Sequence, residues 1–147
     1  MRKFSLVLAM LALVLVFGFT LVGCDSGVKD APNLMTLVTS SRSGTEGNYS
    51  YTNTTSFSAG QLVVFRYSFT APYQDLGMAQ IVIKRDGTVR YAMQSSNMNV
   101  PKGDATRNFT WGPWSTYPPG SYTAELYIED IDGKRSDTLS TSFTVTP

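Results

Sequence analysis

A chain of 147 residues with twelve basic and eleven acidic side chains has the length of one domain and a charge close to neutral. That balance lacks the basic patch expected of a nucleic-acid binder. There is no histidine and only one cysteine, so the commonest general base, the commonest metal ligand and any internal disulfide are excluded.

Arg2 and Lys3 are followed by an uncharged run from Phe4 to Val22. A basic segment, an apolar segment and then small residues is the layout of an export signal. The alternative is an uncleaved membrane anchor, since an apolar run of this length just reaches across a bilayer core. An unpaired cysteine in an exported chain needs a partner elsewhere or a chemical fate. Leu21-Val22-Gly23-Cys24 resembles the lipobox of bacterial lipoproteins. The resemblance implies that residues 1–23 are removed as a signal peptide. It further implies that Cys24 becomes the first mature residue, carrying diacylglycerol and an amino-terminal acyl chain such as palmitate. Several acyl chains hold a protein firmly at about 0.8 kcal/mol per buried methylene, where one chain is marginal. The membrane partner is then the lipid anchor itself, and the place is the bacterial cell envelope, periplasmic or surface-exposed. Asp25 resembles the inner-membrane retention signal of some double-membrane bacteria, a rule that varies between lineages. Without Arg2 and Lys3, ten basic residues face eleven acidic ones, a net charge near −1.

Residues 24–33 are short, polar and carry Pro32, which suits a tether. The rest, 34–147, is expected to be one domain. Leu34 to Thr39 reads as an early strand, and residues 40–60, rich in Ser, Thr, Gly and Asn, as a long surface loop or a weak edge strand. From residue 61 the period is two. Val63, Phe65, Tyr67 and Phe69 fall on one face, with Leu62, Val64, Arg66, Ser68 and Thr70 on the other. Ile81 and Ile83 lead to Asp86-Gly87, a strong hairpin signal because a type I′ turn needs positive φ at both central residues. Val89, Tyr91 and Met93 alternate on the returning strand. Another strand is expected near Ala105 to Trp111. Tyr122, Ala124, Leu126 and Ile128 then alternate cleanly, a turn follows at Asp130 to Lys134, and Leu139, Phe143 and Val145 close the pattern.

No stretch after residue 33 keeps a helical period, and about seven strands are on offer, the number expected of an immunoglobulin-like β-sandwich. About 115 residues can bury a two-sheet core without disulfides. The segment PPGSYTAELYIEDIDGKRSDTLSTSFTV resembles the closing strands of bacterial immunoglobulin-like or fibronectin type III-like domains. SFSAGQLVVFRYSF, from Ser56 to Phe69, is similar to their A′ to B passage, with Ala59-Gly60 at the turn. The antibody-type cysteine pair is missing. Such domains usually bind, space or present, and the fold itself fixes no function.

Hydroxyl side chains are plentiful, but without histidine nothing is placed to activate them, so the chain is expected to be non-enzymatic and without a cofactor. Glu129, Asp130, Asp132 and Asp137 cluster in loop 129–137, where an alternative reading as a calcium-binding or enzymatic envelope factor would place its ligands, Asp130 and Asp132 first. Against it stands a solvated turn whose carboxylates satisfy backbone donors, with Lys134 and Arg135 beside them. The aromatic stretch 108–122 is the more informative one. Trp111, Trp114 and Tyr117 sit among Pro113, Pro118 and Pro119, and rigid aromatics make good platforms for a glycan or a protein partner. Packing at the end of the sandwich is the competing explanation, strongest for Trp111. The expected function is a lipid-anchored binding or structural module, the latter as an accessory subunit of an envelope complex.

Overall fold

The computed structural model describes residues 30–72, 76–112 and 117–147, and its elements are all strands. They are β1 (Asn33–Thr45), β2 (Asn48–Asn53), β3 (Ser56–Ser58), β4 (Val63–Ala71) and β5 (Leu76–Arg85). β6 (Thr88–Met98), β7 (Gly103–Trp111), β8 (Gly120–Asp130) and β9 (Leu139–Thr146) follow. A four-stranded sheet runs β2-β1-β4-β7, and a five-stranded sheet runs β3-β9-β8-β5-β6. The two sheets face each other across one core, which makes an immunoglobulin-like β-sandwich. The expected signal segment 1–23, and Cys24 with it, lies outside the described residues.

Nine strands replace the expected seven or so, and the extra ones come from residues 40–60. β1 continues to Thr45, turns through Glu46 and Gly47, and returns as β2 with Thr45 opposite Asn48. The outer face of this pair meets water, so no apolar alternation marks it in the sequence. Hydroxyls hold it instead: Thr39 Oγ1 donates to Thr54 O at 2.6 Å, and Ser40 Oγ donates to Asn53 Oδ1 at 2.9 Å. β3 is the expected A′ strand, and it pairs in parallel with β9, Phe57 opposite Val145. The turn after it uses Gly60 at φ 81.

The inner face of β4 is as expected, with Val63, Phe65, Tyr67 and Phe69 all buried. Ile81, Ile83, Ala124, Leu126 and Ile128 fill the opposite wall. β6 differs. Val89 is 54% exposed and Tyr91 41% exposed, because β6 is the outermost strand of its sheet, while Met93 is half-buried against the core and Met98 at the far end is buried in it. Two irregularities shape β5 and its partners. Gly77 is an extra residue opposite β8, and a Cβ there would lie 2.5 Å from Asp130 O, so only glycine allows the two backbones to approach. On β6, Ile83 pairs with Tyr91 while Lys84 pairs with Val89, which leaves Arg90 as the bulged residue.

No disulfide ties the sheets together, and an aromatic cluster takes that place. Phe143 of β9 meets Phe65 of β4 edge to face at 5.6 Å, Trp111 of β7 at 5.7 Å and Phe57 of β3 at 5.9 Å. It also stacks on Tyr122 of β8 at 5.4 Å. Phe65 and Trp111 belong to one sheet and the rest to the other, so the cluster is an intersheet bond made of dispersion and quadrupole contacts. The Tyr122 hydroxyl donates to Pro118 O at 2.7 Å, four residues upstream of it. This is the tyrosine corner of immunoglobulin-like sandwiches.

Truncating Phe143 to Ala removes the hub from both sheets and leaves a cavity, so a loss of about 3–5 kcal/mol in unfolding free energy is expected from urea titration. A loss under 1 kcal/mol would show that the cluster is not the intersheet link. Tyr67 gives a pH test. Burial pushes its phenol from 10.0 up to about 12, against a smaller opposing pull from Arg107. The folded chain therefore keeps a proton that the unfolded chain releases near pH 10, so stability is intact below pH 10 and falls as pH rises towards 12. The urea midpoint should fall through that window, and less steeply in Tyr67→Phe.

Candidate functional site

The hub end of the sandwich is also where a cavity opens. The Asp86-Gly87 turn joins β5 to β6 with φ of 53 and 73, the paired positive values that a type I′ hairpin requires. Arg85 is the last residue of β5, and Arg90 and Tyr91 lie just inside β6. Trp111 ends β7, Tyr117 and Pro118 lie in the connection to β8, and Tyr122 is the third residue of β8. These side chains surround a cavity of about 320 Å³. That is the lower end of the roughly 300–1,000 Å³ range of small-molecule sites.

Trp111 is the floor. It is 1% exposed, one face lies against Tyr117 with ring centroids 3.7 Å apart, and its edges meet Tyr122 and Phe143. The sequence alone left packing and ligand contact as competing roles for this residue, and the geometry joins them. Trp111 packs the core and lines the cavity at once. Its indole N–H is buried and finds no acceptor among the described residues. An unmet buried donor of this kind costs about 1–3 kcal/mol. Tyr117 is half-buried and forms the wall. Burial, with smaller contributions from Tyr91 and Tyr122, pushes its phenol up to about 12, so it stays a protonated donor across the physiological range. Trp114 lies outside the described residues.

The rim is fixed by hydrogen bonds to the Pro-Pro-Gly corner. Arg85 Nη2 donates to Pro119 O at 2.9 Å, beside the Tyr122 bond to Pro118 O. Gly120, at φ 152, leaves room for this arginine, since a Cβ there would stand 2.9 Å from Arg85 Nε. Arg85 Nε also lies 3.7 Å from the exposed Asp86 carboxylate. Arg90 is exposed and enters no ion pair seen among the described residues. Neither Arg85 nor Arg90 is among the candidate site residues that the sequence offers. Two cations flanking a hairpin turn that precedes an aromatic loop were the available signal, but the bulge that redirects Arg90 has none in the alternation pattern.

The acidic loop is built otherwise. Asp130 is 5% exposed, and its Oδ1 accepts from the backbone N–H groups of Asp132 at 2.9 Å and Lys134 at 2.8 Å. Gly133 supplies φ 82, and Glu129 is engaged by Arg135 at 2.6 Å. Among the described residues no three acidic, cysteine or histidine side chains converge as metal ligands would. The carboxylate of Asp130 shapes a turn. A second hollow of about 280 Å³ on the outer face of the four-stranded sheet is lined by Thr36, Asn53, Arg66 and Thr106 among others, with Arg66 lying over the Tyr51 ring at 4.9 Å. It is shallower in aromatic content than the hub-end cavity.

No family model matches the sequence, and no curated protein matches it. Solved structures do resemble the fold. The C-terminal domain of wzt is 18% identical with a TM-score of 0.58, over 80% of this chain and 74% of that one. A Niemann-Pick type C2 protein from Japanese carpenter ant is 8% identical with a TM-score of 0.55, over 80% of this chain and 95% of that one. At such identities the likeness is one of fold, and the chain is, like them, a β-sandwich domain.

Proposed function

We propose that the chain is a bacterial envelope lipoprotein, anchored through Cys24, whose β-sandwich is a non-catalytic module that binds a saccharide in the aromatic cavity at its hub end. The observation that carries the binding half is the cavity itself, of about 320 Å³, whose lining is mostly aromatic: Tyr91, Trp111, Tyr117 and Tyr122. A pyranose ring offers an apolar face to an aromatic surface and a ring of hydroxyls to donors and acceptors around it. The wall is held by the tyrosine corner and by Arg85, so little ordering is left to occur on binding. The anchoring half rests on the lipobox-like residues Leu21 to Cys24 and on the absence of any other cysteine. The chain has no histidine to activate its many hydroxyls, which favours binding over catalysis as the reading.

Two measurements test the two halves. Mass spectrometry of the amino-terminal peptide from the native host should find Cys24 at the start, carrying diacylglycerol and an acyl group; an intact Met1 or an unmodified thiol would remove the anchor. A saccharide screen by thermal shift, followed by calorimetry on hits, should give a ligand whose affinity falls about tenfold or more in Tyr117→Ala. If no neutral or charged saccharide raises the melting temperature, the binding reading is wrong.

A further inference from the structure

The charge around the cavity says more than the aromatic wall does. Arg85 and Arg90 both line it, and among the described residues no carboxylate does. Arg85 is committed to Pro119 O and lies near Asp86, whereas Arg90 is in no ion pair seen among the described residues. The bulge explains how Arg90 comes to be there. In a regular strand, residues 90 and 91 would point to opposite faces of the sheet. Because Ile83 pairs with Tyr91 and Lys84 with Val89, residue 90 is unpaired, and both Arg90 and Tyr91 line the same cavity. Bulges re-aim side chains in this way and are over-represented next to functional sites. Their placement here puts an exposed guanidinium beside an exposed phenol ring on the lining of the cavity.

We infer that the cavity selects an anionic saccharide, whose ring packs against Tyr91 and Tyr117 while its charged group meets the fork of Arg90. This rests on the saccharide-binding reading above and narrows it to a ligand class. A carboxylate or a phosphate on the sugar supplies the planar or near-planar pair of acceptors that a guanidinium holds through two parallel hydrogen bonds. Lysine in the same place would act only as a point charge, so position 90 discriminates by geometry as well as by sign. Arg85, fixed behind it, adds field without being free to form the same fork.

The test is calorimetry on the full chain in detergent, with three probes: oligogalacturonate, the uncharged oligogalactose of the same length, and a sugar phosphate. The uronate or the phosphate should bind about tenfold or more tightly than the neutral chain at low salt. The preference should shrink as salt is raised, because Arg90 is exposed and screened. Which of the two anions binds better identifies the source of the charge. Arg90→Gln should bind charged and neutral probes alike with an unchanged melting temperature, and Arg90→Lys should keep only part of the preference. Equal binding of all three probes to the unaltered chain would overturn this inference and leave the saccharide reading standing. Binding of none would overturn both, and an anion preference that survives in Arg90→Gln would overturn the role of Arg90.

Discussion

Phe143 is the residue on which the sandwich turns. An immunoglobulin-like domain without its disulfide must hold two sheets together by packing alone, and packing is strongest where several large rings meet. Here they meet at one end. Phe57, Tyr122 and Phe143 come from the five-stranded sheet, and Phe65 and Trp111 from the four-stranded one. The consequence reaches the surface, because two of these rings, Trp111 and Tyr122, also line the cavity. A site whose floor is part of the core cannot relax without loosening the core. It is therefore preorganised, as a recognition surface needs to be.

The same coupling explains the corner above it. Pro118 and Pro119 have no N–H to give, so their segment cannot be tied into a ladder through these donors, and it is held through its carbonyls. Tyr122 takes the first and Arg85 the second, one from within β8 and one from the end of β5. Tyr117, immediately before, is thereby kept against Trp111. Aromatic floor, phenolic wall and cationic rim are thus positioned by four different strands, and their assembly depends on sheet pairing more than on any local motif.

That dependence sets what can be read from the sequence. Strands buried on one face announce themselves, and β4, β5, β8 and β9 follow the alternation of their inner residues almost residue for residue. The Asp86-Gly87 hairpin and the Ala59-Gly60 turn are visible for the same reason, since positive φ restricts the residue types. β2 and the second half of β1 show in the sequence only as the weak-edge-strand alternative for residues 40–60, because their contacts are hydroxyl and amide bonds along a wet face. Val89 and Tyr91 obey the alternation and yet are exposed, because alternation does not tell an edge strand from a central one. For the site, Trp111 and Tyr117 stand out by composition, while Arg85, Arg90, Tyr91 and Tyr122 are brought in by register. A one-residue bulge changes which side of a sheet a side chain serves, and only the pairing partner reveals it.

The strand registers also bear on how a lipid-anchored module would face its surroundings. Asn33, where β1 begins, lies opposite Thr70 near the end of β4, while Trp111 lies opposite Val63 at its beginning. Seven residue steps of β4 separate the two, about 23 Å at roughly 3.3 Å per residue. The chain thus enters the domain at one end of the sandwich and the cavity opens at the other. On the lipoprotein reading, the tether from Cys24 meets the end remote from the cavity, and the aromatic entrance is turned away from the bilayer that holds it. A fully extended tether of ten residues adds at most about 36 Å of reach. With a net charge near neutral, little electrostatic pull would fold the domain back onto the lipid surface. On that reading, with the anchor at one end and the cavity at the other, the tethered domain would sample polymers lying beyond its own membrane.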